Sequence, residues 1–559
     1  MLFLGIASLG RNSAVALLDE HSILAAIEEE KLTRAQLTGN FPRYALAESL
    51  KQCGATVSDI NLAALADTPQ EAWLRESGVG STFAGSRTGV RARKLKEDFH
   101  KSILLRQLRQ HLPNPVKLAQ FDHHLCHAAS AFYTSDFERS LILTLDEGCG
   151  SHSGQIALGE GDEIRTLRTL RFPDSLGWFY SRVTEMLGLR PHRDEHKVQW
   201  LGRNGQAEFV TAFQKLFSRD ANGLPVLNRR YFVPGPDQRG TFSRSFYKEM
   251  GIAPEKVSED PAVAAALARS AQTVLEEIVL GVANRFQEQT RADSLCIAGG
   301  VFFNVLLVRA LETRSNFKKV QVQPLAGNAG TALGAALLAR KKLTGKSQRG
   351  PLISLALGPE FTSQETKAVL DNCKIIYKYM SGEEQLAGEL AKLLQANKIV
   401  AWCHGRTEFG HRALGNRSIL ASPFSEYVIE NVNHYIKHRE DFHPFALSVP
   451  AERAAEFFDC SDNCKFMASL ATLKNPIAGL EQFAFNGTSV RVHTVEKQSN
   501  PAFWKLLHKF GETAPAPILV NTSFNLFGEP LVSDPREAVR SFYCSGIDAL
   551  AIGPFLVVK

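Results

Sequence analysis

No stretch of this 559-residue chain stays apolar for the roughly 18 residues that a membrane-spanning helix needs. Its opening, MLFLGIASLGRNSAVALL, lacks a basic leader region and carries Arg11 in mid-run, so no secretory signal is expected there. Cysteine supplies no framework: nine residues, an odd number, are scattered from Cys53 to Cys544. Only Cys460 and Cys464 stand close together, and no second pair completes a zinc site. Reduced thiols, a cytoplasmic location and no membrane partner are therefore expected. An excess of either charge is missing as well. The 64 Lys and Arg against 58 Asp and Glu leave +6, too mild for a nucleic-acid footprint though compatible with an anionic ligand.

What is there is an ordinary globular composition, 44% hydrophobic and 22% charged, in a chain too long for one core. The first residues read as strand, glycine-containing turn, strand (LFLGIAS, LGRN, SAVALLDE), and HSILAAIEEE reads as a third strand. The tip of that hairpin, Gly10, Arg11 and Asn12, can offer backbone N–H groups to a phosphate. A similar unit recurs at SLILTLDEGCGSHSGQIALGE. SLCIAGGVFFNVLLVRAL and QVQPLAGNAGTALGAALLAR each read as strand, glycine loop, helix. Such repetition predicts a duplicated α/β domain with a nucleotide or phosphate cleft. RKKLTGKSQRGPL, residues 340–352, is the best linker, which divides the chain into domains 1–345 and 346–559.

Two groups of residues carry chemistry. Asp122 is a plausible N-cap for a helix that starts at His123 and puts His123 and His127, at i and i+4, on one face. That is the spacing of two ligands of one metal, although hydrogen-bonded histidines at a helix start would look the same. Asp146 follows an apolar run and is placed at the end of a strand, where α/β folds gather polar groups. In the C-terminal half, GRTEFGHRALGNRS holds Arg406, Glu408, Arg412, Asn416 and Arg417, and NHYIKHREDFHPFALS adds Asn433, Lys437, Arg439, Glu440 and His443. Arg491 stands on a strand-like stretch, and NTSFNLFGEP gives Asn521, Thr522, Ser523 and Asn525. Arginines beside glycines and phenylalanines, without acidic partners, suit recognition of an anion.

In this order, DHHLCHAASAF, FPDSLGWFYSRVTEMLGL, GGVFFN, AGNAGTALGAA, EFGHRALGNRSILA, IKHREDFHPFALS and NTSFNLFGEPLV resemble the bacterial O-carbamoyltransferases of antibiotic and nodulation-factor biosynthesis. The resemblance implies an α/β architecture in two parts. The N-terminal domain would be a duplicated actin/Hsp70-like (ASKHA) domain, similar to the threonylcarbamoyladenosine-forming proteins. The C-terminal one would be a twisted-sheet YrdC-like domain. It further implies that carbamoyl phosphate and ATP form carbamoyl adenylate in the C-terminal domain, which is expected to do so on its own. A hydroxyl of a small-molecule alcohol then attacks the carbamoyl carbon in the N-terminal domain.

Carried over, the resemblance assigns Arg412, Lys437 and Arg491 to the phosphates. Asn416, Arg417, Arg439, His443 and Asn525 stand beside them in the same donor site, and Asn521 and Ser523 line the adenylate pocket. His123, His127 and Asp146 become the catalytic wall of the transfer site, with Gly299, Gly300, Asn304 and Asn328 at the nucleotide. A divalent ion, iron or magnesium, would be held by His123, His127 and Asn328. A homodimer is the implied assembly. The chain departs from the family pattern at Arg11-Asn12-Ser13 in place of His-Asp-Ser and at Asn328 in place of an aspartate, which puts the metal in question. His411, His443 and Leu447 are lesser departures. Acceptor-shaping segments such as 70–110 and 205–260 carry no readable motif. A member with another nucleophile or a non-enzymatic partner role, or a tRNA-modifying fusion, stays open as an alternative.

Overall fold

The computed structural model describes residues 1–7, 11–66, 106, 108–113, 115–149, 152–233, 241–474 and 477–559. Gly10 and most of the 70–110 segment lie outside the described residues, as does 234–240. The chain forms two compact units. Unit 1 comprises Met1–Ser22, Thr38–Arg43 and Gly54–Pro351; unit 2 comprises Ile23–Leu37, Tyr44–Cys53 and Leu352–Lys559. Both are mixed α/β.

Unit 1 contains two sheets built by the same rule. β1 (Leu2–Ile6) forms a hairpin with β2 (Ala14–Leu18) and a parallel pair with β3 (Ile60–Ala66), which pairs in parallel with β4 (Lys117–Phe121). After helix α1 (His123–Phe132), β5 (Arg139–Cys149) forms a meander with β6 (His152–Glu160) and β7 (Glu163–Arg171). Helices α2 (Leu176–Met186) and α3 (Pro261–Thr290) follow. β5 then pairs in parallel with β8 (Ser294–Ala298), and α4 (Val305–Arg314) crosses over to β9 (Lys319–Val322), parallel to β8. In each sheet the first strand takes its hairpin partner on one side and two parallel strands on the other.

The last helix of unit 1, α5 (Asn328–Thr344), is buried on every side from Ala329 to Arg340. Its run of Ala and Gly explains this. A Cβ on Gly334 would stand 1.8 Å from the carbonyl oxygen of Cys126 in α1, so only glycine permits the approach. The expected linker 340–352 begins inside this helix: Arg340 is 2% exposed and donates to the Ser347 and Gln348 carbonyls at 2.7 and 2.9 Å. Helical periodicity continued through the basic residues because they close the helix instead of leaving it.

Unit 2 is organised by one ten-stranded sheet. Its strands are β10 (Lys378–Tyr379), β11 (Val400–Cys403), β12 (Arg417–Ala421), β13 (Ala446–Pro450), β14 (Phe458–Asp459), β15 (Leu470–Leu473), β16 (Ser489–Val495), β17 (Leu519–Ser523), β18 (Ala549–Ile552) and β19 (Phe555–Val558). They lie in the order β10-β19-β18-β11-β12-β17-β13-β16-β15-β14. One face carries Ala401, Ile419, Leu447, Val492 and Val520 into a continuous core. The other carries Trp402, Leu420, Leu519 and Val495 against α6 (Glu383–Gln395) and α7 (Pro501–Gly511), whose Leu390 and Phe503 are fully buried.

Residues from the beginning of the sequence complete this unit. Lys31 is 1% exposed, paired with Glu28 at 2.8 Å, and donates to the carbonyls of Glu408 and Gly410. Arg34 donates to the Leu531 carbonyl at 2.6 Å and pairs with Glu529 and Glu537. Arg406 reaches the Leu24 carbonyl at 3.0 Å and Gln52 at 2.8 Å. A fragment starting near residue 350 would therefore lack part of its own core, contrary to the expectation that it works alone. The eight cysteines with described side chains are free, and no described helix is long and apolar enough to cross a membrane.

Candidate functional site

In unit 1 the Asp122 carboxylate accepts from the Leu125 N–H at 2.9 Å and starts α1, as its sequence position predicts. His123 and His127 then share a face. The β5–β6 register shifts between Leu145 and Cys149, a bulge that re-aims Asp146. Asp146 Oδ2 stands 3.3 Å from His123 Nε2 and 3.4 Å from His127 Nε2, and the two nitrogens are 3.1 Å apart. His124 turns away to Thr144 Oγ1, 2.9 Å distant. Burial pushes the Asp146 carboxyl up, but hydrogen bonds from His123 and His127 outweigh it and hold it well below the usual range. Burial pushes His127 down more than Asp146 lifts it.

This triangle cannot be three hydrogen bonds at once. If both imidazoles donate to Asp146, their nitrogens face each other donor to donor. A shared cation removes the conflict: ligands at about 2.1 Å and 90–109° lie roughly 3.0–3.4 Å apart, the spacing seen. Two imidazoles and one carboxylate suit a first-row transition ion such as iron better than magnesium.

Neighbouring backbone holds the triangle. Gly299, at φ +98°, would place a Cβ 2.1 Å from the Leu145 carbonyl oxygen, and Gly300 sits 3.0 Å from Asp146 Oδ1 by the same measure. Gly299 and Gly300 thus back the Asp146 strand. Asn304 caps α4 through Leu307 N–H at 3.0 Å and donates to Gln272 and Tyr180 at 2.7 and 3.3 Å, in a buried network. Asn328 donates to the Arg11 carbonyl at 3.4 Å. Glu147, next along β5, bonds His192; burial raises its carboxyl, but that bond and the fields of Arg11 and Arg182 bring it below its ordinary value.

In unit 2 the sheet itself sets the second site. Leu420, Asn521, Ala446, Arg491 and Leu470 are register partners across five strands, so their side chains form one row on one face. Leu420 belongs to the apolar layer under α6 and α7; beyond it the row turns polar, and Ala446 leaves room between Asn521 and Arg491. Asn521 donates to the Ala413 carbonyl and to Ser448 Oγ at 3.2 and 3.0 Å, which fixes its amide and leaves Oδ1 buried without a partner among the described residues. Ser448 Oγ lies 3.1 Å from His493 Nδ1.

The glycine-rich loop is wound around one carboxylate. Glu408 Oε1 accepts from the N–H groups of Leu414, Asn416 and Arg417 at 2.7, 2.9 and 3.1 Å. Arg417 is spent on carbonyls of the same loop, including Gly405 at 2.9 Å, and Asn416 donates to the Arg406 carbonyl at 2.7 Å. These two build the loop that presents Arg412. Lys437 donates to Ser523 O and Oγ at 2.9 and 3.1 Å and to Asn525 O and Oδ1 at 3.1 and 2.5 Å. His443 pairs with Glu440 at 3.3 Å.

Four cations gather here, with Glu440 beside Arg439. Burial, then the field of Arg491, holds Arg412 well below its usual range; burial, then Arg439, does the same to Lys437. Arg439 is pushed down to about 9 by burial and Arg491, against a weaker lift from Glu440, and Arg491 to about 10 by burial. Arg412, Arg439 and Arg491 are half-buried as residues. Arg412 Nε and Arg439 Nη2 have no partner among the described residues. Such a cluster costs folding energy unless an anion occupies it.

Sequence reading missed Lys31, Ser448 and His493. His493 was within reach: it stands two residues from Arg491 on one strand and so shares its face.

One unit thus gathers buried cations, and the other presents two imidazoles around a carboxylate. The family model for the carbamoyltransferase N-terminus matches residues 3–337, and that for the C-terminus matches residues 391–559. The chain belongs to the carbamoyltransferase family. It is 32% identical to the nodulation protein NolNO of Sinorhizobium fredii, over 98% of this chain and 79% of that one. It is 26% identical to the 3'-hydroxymethylcephem-O-carbamoyltransferase of Streptomyces clavuligerus, over 96% and 94%. It is also 26% identical to nodulation protein U of Azorhizobium caulinodans, over 95% and 94%. The solved structure of T. kodakarensis HypF aligns with 62% of this chain and 48% of its own at 15% identity and a TM-score of 0.31, a likeness too slight to bear on activity.

Proposed function

We propose that the protein is an ATP-dependent O-carbamoyltransferase acting on a small-molecule alcohol. The observation that carries this is the clustering of four buried cations, Arg412, Lys437, Arg439 and Arg491, with Asn521 Oδ1, an acceptor without a partner among the described residues, on the same sheet as Arg491. Water cleaves carbamoyl phosphate to carbamate and phosphate, a carbamate oxygen attacks the α-phosphorus of ATP, and pyrophosphate departs. Each stage moves negative charge that fixed cations in a water-poor site stabilise. Ser523 and Asn525, bonded to Lys437, hold its ammonium toward the phosphates. Unit 2 would be the YrdC-like part. The two sheets of unit 1, built by one strand-pairing rule, support the actin/Hsp70-like reading and a boundary near 345, with Ile23–Leu37 and Tyr44–Cys53 lent to the C-terminal part.

In unit 1 a hydroxyl then attacks the carbamoyl carbon and AMP leaves. His123, His127 and Asp146 would hold a divalent ion, with Asn328 as a further donor, and Gly299, Gly300 and Asn304 would stand at the nucleotide. Such an ion, when bound, supplies positive charge next to the carbamoyl oxygen as a Lewis acid. Asp146 is placed to keep both imidazole Nε2 atoms converged whether or not that charge is present.

The test is ATP–pyrophosphate exchange by the full chain, dependent on carbamoyl phosphate. Arg412→Ala removes one charged contact to phosphate and should cost about 2–4 kcal/mol in activation, a loss of roughly thirty- to a thousandfold. An absence of exchange in the unaltered protein would refute the adenylate route. Near-normal exchange in the variant would move Arg412 out of the site.

A further inference from the structure

One imidazole near the triangle has no task in the scheme above. Glu147 follows Asp146 on β5, and its carboxylate lies 2.7 Å from Nδ1 of His192. His192 is held in the left-handed region at φ +66°, which costs free energy for any residue with a Cβ. Its backbone N–H donates to the Glu195 carboxylate, which also takes Ser181 Oγ at 2.7 Å. Asp194 ties the same loop back to the N–H and Nε of Arg190 at 3.1 and 3.0 Å. A loop strained and braced in this way fixes where the ring points. With Nδ1 committed to Glu147, the tautomer is set: Nδ1 carries the proton and Nε2 is the basic atom. The side chain keeps 18% exposure, and Nε2 makes no hydrogen bond or ion pair with a described residue.

We infer that His192 is the general base of the transfer step and that Glu147 is its positioning residue, an inference that rests on the reading of the chain as a carbamoyl-adenylate-using transferase. The acceptor hydroxyl gives its proton to His192 Nε2. Its oxygen forms the new C–O bond to the carbamoyl carbon, and the bond from that carbon to the phosphoryl oxygen breaks to release AMP. The imidazolium formed is stabilised by the Glu147 carboxylate and returns its proton to solvent. The bulge after Leu145 is what lets consecutive residues serve the two purposes, Asp146 in the triangle and Glu147 on the base.

His192→Gly is the informative variant, because glycine is unstrained at φ +66° and the missing ring leaves space for an added one. Methanol serves as the hydroxyl probe, with methyl carbamate measured by mass spectrometry and ATP–pyrophosphate exchange measured alongside. Exchange should stay within twofold of the unaltered protein. Methyl carbamate formation should fall on the order of 10²- to 10⁴-fold, as loss of a general base does. Free imidazole at tens of millimolar should restore it at least tenfold. Unchanged methyl carbamate formation, or a loss that imidazole does not repair, overturns the assignment. An unaltered protein that exchanges but makes no methyl carbamate also overturns it, whereas one that does not exchange refutes the adenylate reading instead.

Discussion

Unit 1 sets one carboxylate, Asp146, against two imidazole nitrogens, while unit 2 gathers four cations, with the Glu440 carboxylate acting on Arg439. Each arrangement suits a ligand of the opposite sign. The first converges donor atoms that one cation could share; the second gathers positive charge that an anion could meet. Burial raises the cost of both imbalances, since charge in a low-dielectric setting must be met by charge. The difference teaches that ligand sign can be read from which charge the fold leaves uncompensated, even where residue identities alone would suggest only a polar pocket.

The comparison is broken most severely through Lys31. Its ammonium is buried, paired with Glu28, and bonded to two carbonyls of the loop that carries Arg412. Lys31→Met leaves the Glu28 carboxylate unpaired and frees the loop, a change that costs about 3–5 kcal/mol in comparable buried pairs. Thermal unfolding should show unit 2 destabilised by that amount, and ATP–pyrophosphate exchange should fall with it. An unchanged midpoint would show that the N-terminal segment is not part of unit 2's core.

That dependence was invisible in the sequence, for a physical reason. Periodicity and turn residues report local structure, so the strand pairs, the Asp122 cap and the shared face of His123 and His127 were legible, whereas the strand expected to end at Asp146 runs on to Cys149. Lys31 directly follows HSILAAIEEE, which reads as a strand, and nothing in that local pattern names a distant partner. Only the return of residues 23–37 onto unit 2 buries it, and such long-range pairing leaves no local signature. The anion-binding loop was legible as Arg and Gly, but not the division of labour within it. Arg417 and Asn416 build the loop while Arg412 is presented by it, because Glu408 decides which N–H groups are drawn inward.

A second prediction sharpens the contrast through acid. His493 is buried in the unit 2 network and pushed down to about 3 by that burial. An unfolded histidine takes up its proton near 6.5, so between about 6.5 and 3 the unfolded state binds more protons and stability falls as pH falls. At pH 5 the loss relative to neutral pH is about 2 kcal/mol from this group. His493→Gln should remove that share of the acid sensitivity, seen as a smaller drop in melting midpoint between pH 7 and 5. An identical pH slope in the two proteins would mean that His493 becomes protonated where it stands.

The smallest effect isolates unit 1. Asp122 caps α1 at the Leu125 N–H, and α1 carries both imidazoles of the triangle. Asp122→Ala removes that acceptor and should cost about 1 kcal/mol, the usual worth of an N-cap. Because the first turn of α1 contains His123 and the second His127, fraying should loosen His123 relative to Asp146 more than it loosens His127. Exchange in unit 2 should be untouched, while the affinity of added Fe²⁺ or Zn²⁺, read by calorimetry on the full chain, should drop several-fold. Equal loss in both measurements would show that the two sites do not answer to their own units and that the contrast drawn between them is wrong.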